Sequence, residues 1–133
     1  MAEIDLPLRL IVNGVPVSQQ CRKGATKDNW TAAVKSAARK GIAGAARTNP
    51  LRVEIFYFFS QGGRIDLDNL AKPICDALNN LVYVDDSQIS ELYLRKLNME
   101  GGFRLRETPT ELAAALQKGG DFVYVNISEL EGI

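Results

Sequence analysis

Residues 64–78 read Arg-Ile-Asp-Leu-Asp-Asn-Leu-Ala-Lys-Pro-Ile-Cys-Asp-Ala-Leu, and residues 85–88 read Asp-Asp-Ser-Gln. Together they place five carboxylates and one lysine close together along the chain, beside an apolar helical pattern. Like charges in one cleft repel and raise one another's pKa, so the crowding needs a physical reason. A hard divalent cation, which takes oxygen ligands, removes that penalty. The pattern therefore predicts a bound divalent metal.

The helical part of this stretch divides into two faces at 100° per residue. One arc is apolar and contains Leu70, Ile74, Ala77, Leu78 and Leu81, and the opposite arc contains Asp68, Lys72, Asp76 and Asn79. Pro73 lacks a backbone donor, which favours a helix that begins at Asp68 or Asn69 and keeps Pro73 near the first turn. Asp66 and Asp68 would then approach in an extended segment and point to the same side, where they can share one cation.

Each polar residue of the stretch also has a simpler interpretation. Asp68 could be a helix cap, Asp76 an i,i+4 partner of Lys72, Asp85 the first residue of a turn, and Asp66 a solvated acid. Lys72 could be a structural counter-charge, or it could stabilise charge on a phosphate. A calcium loop of the EF-hand type fits poorly, because alanine stands where the loop requires glycine and glutamate.

Working outward, hydrophobic periodicity predicts four strands and three helices. The strands are expected over 4–12, 51–59, 89–97 and 122–127, and the second should be central because its latter half is apolar on both faces. The helices are expected after an Asp28 cap, from Asp68 or Asn69, and over 108–118, where Thr108, Pro109 and Glu111 suggest a capping box. The order β-α-β-α-β-α-β predicts a single α+β domain over 1–133, with helices packed on a mixed sheet.

Composition narrows the possible chemistry. The 133 residues contain no histidine, which excludes histidine bases, triads and histidine-bound zinc. Two cysteines, Cys21 and Cys75, fit a reducing cytoplasm, and no apolar run is long enough to span a bilayer. With Glu3 and Asp5 near the start, no signal peptide is expected.

The net charge of zero is unevenly distributed along the chain. Residues 1–50 hold eight Lys or Arg against three Asp or Glu, and residues 51–133 hold eight against thirteen. A basic lobe facing an acidic pocket suggests a polyanionic substrate held by one and a metal held by the other. Scattered solvated charge is the alternative.

These residues resemble the RusA-type Holliday junction resolvases, endodeoxyribonucleases that act on four-way DNA junctions. The resemblance rests on Asp66-x-Asp68-Asn69-Leu70-x-Lys72, Asp76-Ala77-Leu78 and Asp85-Asp86-Ser87-Gln88. More loosely it includes Gly14-x-Pro16-Val17-Ser18-x-Gln20 and the basic helix that follows, so it covers most of residues 5–100.

The resemblance implies that Asp66, Asp68 and Asp86 are catalytic acids that bind Mg²⁺, with Mn²⁺ as a substitute, and that Lys72 is the catalytic lysine. It also implies an accessory acid at Asp85, supporting roles for Asn69 and Asp76, and a homodimer. A two-fold dimer suits a junction that has two strands to nick. We expect backbone phosphates of the DNA to be held by basic residues within 1–50, namely Arg22, Lys23, Lys27, Lys35, Arg39 and Lys40.

Two alternatives remain open from the sequence. One is a protein that binds branched DNA without cutting it, and the other is a metal-dependent phosphohydrolase acting on a substrate other than DNA. The chain departs from the family pattern in two places. The helix at 108–118 has no assigned role, and the loop at 18–27 is less basic than in many relatives.

Overall fold

The fold is built on a four-stranded sheet in which residues 51–59 form an inner strand. The structure, a computed structural model, describes residues 2–19, 24–60 and 62–130. In chain order the elements are β1 (Leu8–Asn13), α1 (Ala25–Arg39), β2 (Leu51–Phe59), α2 (Leu67–Ala77), a 3-10 helix (Asp86–Gln88), β3 (Ile89–Asn98), α3 (Thr110–Lys118) and β4 (Phe122–Glu129).

The strands lie in the order β1-β4-β2-β3. β2 pairs parallel with β3 and antiparallel with β4, and β4 also pairs antiparallel with β1. The predicted α+β domain with a mixed sheet is confirmed, and so is the inner position of β2. A short 3-10 helix, which the periodicity did not predict, stands between α2 and β3.

Apolar side chains cover both faces of the sheet. On one face, Tyr57 and Val125 pack with Val34 of α1 and Ile74 of α2. On the other face, a smaller cluster around Phe58 joins β2 and β4 to Leu112 of α3. Because successive strand side chains point to opposite faces, the apolar latter half of β2 serves both cores.

Several predicted boundaries were wrong. β1 begins at Leu8, after Pro7, which has no N–H to donate to a ladder. α1 begins at Ala25, so Asp28 lies in its first turn and does not cap it. Pro109 is extended, with φ −57° and ψ 159°, so α3 begins at Thr110 and lacks the predicted capping box.

The start of α2 also differs from the prediction. Asp66 is the N-cap residue and the helix begins at Leu67, so Asp68 is already helical and Pro73 lies inside the helix. Pro73 cannot donate to the carbonyl of Asn69, four residues earlier. That carbonyl accepts a hydrogen bond from the backbone N–H of Gln19 at 2.9 Å. The segment before α1 therefore replaces the helical bond that proline removes.

The approach to α2 is fixed by Asp121, just before β4. Its carboxylate accepts hydrogen bonds from the Tyr57 hydroxyl at 2.7 Å and from the backbone N–H groups of Ser60 and Gly62 at 2.8 and 3.0 Å. An added Cβ at Gly62 would collide with the Tyr57 hydroxyl. On the other side, the Lys96 ammonium donates to the carbonyls of Gly63 and Ile65 at 3.0 and 2.9 Å. The chain thus enters α2 on a fixed path.

Of the helices in the described ranges, none has the length and apolar character to cross a membrane.

Candidate active site

The two faces of α2 separate apolar from charged side chains as predicted. Leu70, Ile74 and Ala77 are buried against the sheet and α1. Asp68, Lys72 and Asp76 are exposed on the opposite side. Since i and i+4 positions of a helix are neighbours, Lys72 stands between the two aspartates along one face.

The segment after α2 turns back along the helix. Asn80 has a positive φ of 62°, a conformation that asparagine tolerates better than most residues. The fully buried Tyr83 then donates its hydroxyl hydrogen to the carbonyl of Cys75 at 2.6 Å. On its other side the segment is held by Arg47, whose N–H donates to the carbonyl of Val82 at 2.8 Å. These contacts bring residues 85–88 to the polar face of α2.

Residues Asp85 to Gln88 form a capping box around the 3-10 helix. The Asp85 carboxylate accepts from the N–H of Ser87 at 3.0 Å, and hydrogen bonding to the Ser87 side chain, together with this backbone bond, lowers the pKa of Asp85. The Gln88 amide oxygen accepts from the N–H groups of Val84 and Asp85 at 3.0 and 3.1 Å. Its amide nitrogen donates to the carbonyls of Arg47 and Asn49 at 2.9 and 3.0 Å. Gln88 therefore ties the 3-10 helix to the chain that precedes β2.

Asp86 is the residue of this motif that faces α2. Its carboxylate accepts from the Lys72 ammonium at 3.2 Å, and Asp76 accepts from the same ammonium at 2.8 Å. These two bonds raise the pKa of Lys72 above its ordinary value of 10.5, and the bond to Asp76 has the larger effect. Both pairs are largely exposed, so their contribution to the stability of the fold is small. The result is a permanently charged lysine on the surface, held between two acids.

Asp66 and Asp68 lie at the N-terminal end of the same helix and are exposed. The prediction that they approach in an extended segment was wrong, because Asp68 belongs to the first turn of α2. Carboxylate oxygens are suitable ligands for Mg²⁺. Within residues 2–19, 24–60 and 62–130, however, no three Asp, Glu, His or Cys side chains are grouped so that they could hold a metal ion. The donor chemistry fits Mg²⁺, whereas the described carboxylates do not form a ready-made site.

A cleft of about 370 Å³ lies between α1 and α2, beside Lys72. Lys27 and Lys35 of α1 line it together with Lys72 and Asp76, and Gln19 borders it. Arg39 and Lys40 are exposed at the far end of α1 and do not line the cleft. Arg22 and Lys23 lie outside the described residues. The structure thus brings two of the predicted phosphate-binding lysines next to Lys72.

Three residues that build the site were not among the predicted functional residues. Gln88 holds the 3-10 helix in place, and the spacing Asp85-x-x-Gln88, which matches the capping-box pattern, is the sequence signal for that role. Gln19 binds the Asn69 carbonyl through its backbone, and Pro73 inside a helix is the signal that such a partner is needed. Lys96 reaches its partners only through the packing of β3, and no local pattern indicates that contact.

Comparison with protein-family models matches residues 17–105 to endodeoxyribonuclease RusA. The match spans α1, α2, the 3-10 helix and β3, and so contains the whole arrangement around Lys72. The chain belongs to the endodeoxyribonuclease RusA family. Membership in the RusA family implies endodeoxyribonuclease activity on Holliday junctions, and hence branched DNA as the substrate. A search of curated proteins finds no match to the chain.

Proposed function

We propose that this chain is a Mg²⁺-dependent endodeoxyribonuclease that resolves four-way DNA junctions by paired phosphodiester hydrolysis in recombination and repair. The observation that carries the proposal is the Lys72 ammonium, held between Asp76 and Asp86 at the edge of a cleft lined by Lys27 and Lys35. A phosphodiester in this cleft would meet three cations and the carboxylate of Asp76, with the carboxylate of Asp86 beside Lys72. That combination suits phosphoryl transfer, in which charge develops on oxygen.

Lys72 acts in this proposal as a fixed positive charge. Its pKa is raised, so the amine stays protonated at neutral pH and cannot serve as a general base. Because the side chain is half exposed and already directed by two acids, its charge can bind a phosphate oxygen without a large rearrangement. Asp76 and Asp86 orient the ammonium until the substrate arrives.

Mg²⁺ would be held by Asp66, Asp68 and Asp86, and Mn²⁺ would substitute for it. When bound, the ion supplies an activated water and neutralises charge on the leaving oxygen. Binding requires Asp86 to be shared with, or released by, Lys72. Titration of Mn²⁺ followed by electron paramagnetic resonance should show weaker binding in Asp86→Asn and Asp68→Asn than in wild type, and equal affinity in all three proteins would contradict this ligand set.

The decisive experiment measures nicking of a labelled four-way junction in Mg²⁺. We expect Asp68→Asn, Asp86→Asn and Lys72→Met each to lower the rate by about 10²-fold or more, as for the loss of a group that stabilises transition-state charge. Lys118→Met, at an exposed lysine on α3, is the matched control and should cut like wild type. No nicking by wild type, or undiminished nicking by Asp68→Asn, would refute the endodeoxyribonuclease proposal. Metal-independent junction binding without nicking would instead indicate a DNA-structure-binding protein.

We further propose that the active form is a homodimer. A four-way junction has two-fold symmetry and needs two nicks, so a dimer with the same symmetry supplies one site for each strand. Sedimentation equilibrium should give twice the chain mass, and nicking at limiting protein should fall with dilution below the dimer dissociation constant. A monomer that nicks both strands at the same rate would contradict this.

A further inference from the structure

The face of the sheet opposite α1 and α2 is only half covered by α3, and its open half forms a groove of about 730 Å³. Five of the chain's nine arginines line it, and none of the six lysines in the described residues does. They come from strands at both edges of the sheet, from β2, and from the connection between β3 and α3: Arg9, Arg52, Arg95, Arg104 and Arg106. We call this feature the arginine groove.

The arginine groove is positively charged. Three glutamates also line it, so five arginines against three glutamates leave a formal charge of +2. Glu129 pairs with Arg47 outside the groove, and Arg52 pairs with Glu91 outside the groove at 2.7 Å and with Glu54 at 3.8 Å, so the unpaired positive charge lies mainly on the other arginines. Arg104 and Arg106 are exposed on one wall, and the Nε of Arg9 is buried with no hydrogen-bond partner among the described residues. An anion is the complement of such a surface.

Aromatic rings form the floor of the arginine groove. Phe56 lies opposite Tyr124 on one neighbouring strand and Arg95 on the other. The guanidinium of Arg95 lies 5.7 Å from the centre of the Phe56 ring, and Tyr93 lies 5.9 Å from the same ring, centre to centre. Tyr93 is 46% exposed. An exposed ring among arginines is the combination that binds unpaired bases by stacking and their phosphates by charge.

We propose that the arginine groove binds a short single-stranded segment of DNA, with phosphates on Arg104 and Arg106 and a base stacked on Tyr93. The inference rests on the proposed function in taking DNA as the polyanion, and it adds a second contact surface on the face of the sheet away from Lys72. A branch point is where bases can leave the stack. Duplex DNA fits less well, because its paired bases offer no free face to Tyr93.

A second copy of the chain is a poorer occupant of the arginine groove. In a two-fold dimer formed through this face, the same arginines of both copies would meet across the axis. Bringing two surfaces of equal positive charge together opposes association, whereas a polyphosphate chain relieves the charge on each.

The test measures binding of a fluorescein-labelled oligothymidine in EDTA by fluorescence anisotropy. Arg104→Gln with Arg106→Gln should raise the Kd about tenfold and reduce the salt slope by about 1.4. Lys118→Glu, which changes the net charge by the same two units at an exposed site on α3, is the control and should bind like wild type. Tyr93→Leu should weaken binding about tenfold, while Tyr93→Phe, which keeps the ring, should not.

Three results overturn the inference. They are equal weakening by Lys118→Glu and the double arginine variant, equal affinity of Tyr93→Leu and Tyr93→Phe, and a shift to monomer in the arginine variant that accounts for its lost affinity. Because the measurement uses no metal and no junction, it is independent of nicking. If wild type fails to nick but the groove variants lose oligothymidine, the groove assignment stands and the nuclease proposal fails. Normal nicking with unchanged oligothymidine binding in the groove variants would support the nuclease proposal and refute the groove assignment.

Discussion

At the scale of single residues, the ammonium of Lys72 is the group whose chemistry is best defined. Two carboxylates bind it, and neither belongs to a buried pair, so the charge is available to a ligand from solvent. A lysine arranged in this way differs from a catalytic base, whose pKa is lowered by burial or by neighbouring cations.

The pH–rate profile of nicking should therefore show no pKa that belongs to Lys72. Its folded pKa is raised, so its ion pairs are fully formed below the ordinary value of 10.5 and are lost only as the pH rises through a still higher folded value. Between about pH 6 and 9 the ammonium is constant in charge. We expect Lys72→Arg to lower the nicking rate while keeping the shape of the pH–rate profile. A shift of either limb of the pH–rate profile in Lys72→Arg would show that the lysine titrates in this range.

At the scale of elements, two contacts that hold α2 and the 3-10 helix decide where the functional side chains lie. One joins the Asn69 carbonyl to the N–H of Gln19, and the other joins Gln88 to the chain before β2. The first contact is made by backbone groups and the second by the Gln88 side chain, which does not line the cleft, so both can be tested separately from the chemistry.

Replacing Pro73 by alanine should strengthen α2 and loosen the segment before α1. Alanine restores an N–H that competes with Gln19 for the Asn69 carbonyl, and proline inside a helix is about 3 kcal/mol less favourable than alanine. We expect amide hydrogen exchange at Gln19 to become about tenfold faster, with no faster exchange at Leu70, whose N–H bonds to Asp66. Unchanged exchange at Gln19 would mean that the tether does not depend on proline.

Replacing Gln88 by alanine should impair nicking, although Gln88 is not expected to contact the substrate. The change removes the hydrogen bonds to Val84, Asp85, Arg47 and Asn49, which should lower the free energy of unfolding by about 1 to 3 kcal/mol. Because Asp86 is carried by the same 3-10 helix, kcat should fall while KM changes little. Gln117→Ala, at an exposed glutamine of α3, is the control. Lost stability with unchanged kcat would limit Gln88 to a structural role.

At the scale of the whole molecule, zero net charge conceals two basic surfaces on opposite sides of the sheet. The cleft lined by Lys27, Lys35 and Lys72 lies between α1 and α2, and the arginine groove lies on the half-open face beside α3. The carboxylates around α2 account for much of the compensating negative charge. Electrostatic attraction to DNA depends on these local surfaces rather than on the total charge.

Junction affinity should therefore fall steeply with salt despite the zero net charge. Lys35→Gln together with Arg39→Gln removes two cations from α1 and should reduce the slope of log K against log salt by about 1.8 if both contact phosphates. A decrease of about 0.9 would identify Lys35 alone as the contact, since Arg39 does not line the cleft. Lys118→Gln is the control, and a slope unaffected in the double variant would remove α1 from the DNA interface.

The sequence by itself determined the features that depend on local spacing. The alternation of 51–59 predicted an inner strand with two apolar faces, and the helical projection of 70–78 separated Ile74 from Lys72. The motif spacing also led to the correct family, because an ordered set of short motifs is far more specific than any one of them. Such properties follow from backbone periodicity, which each segment carries on its own.

Only the tertiary structure decided the features that depend on contacts between distant segments. It placed Pro73 inside α2, where the N–H of Gln19 takes the place of the donor that proline lacks. It paired Asp86 with Lys72 and made Asp85 a cap. It also gathered arginines from β1, β2, β3 and the connection to α3 into one groove, although most of them belong to the part of the chain that is acidic overall. Strand order and helix packing determine these contacts, and neither can be derived from local periodicity.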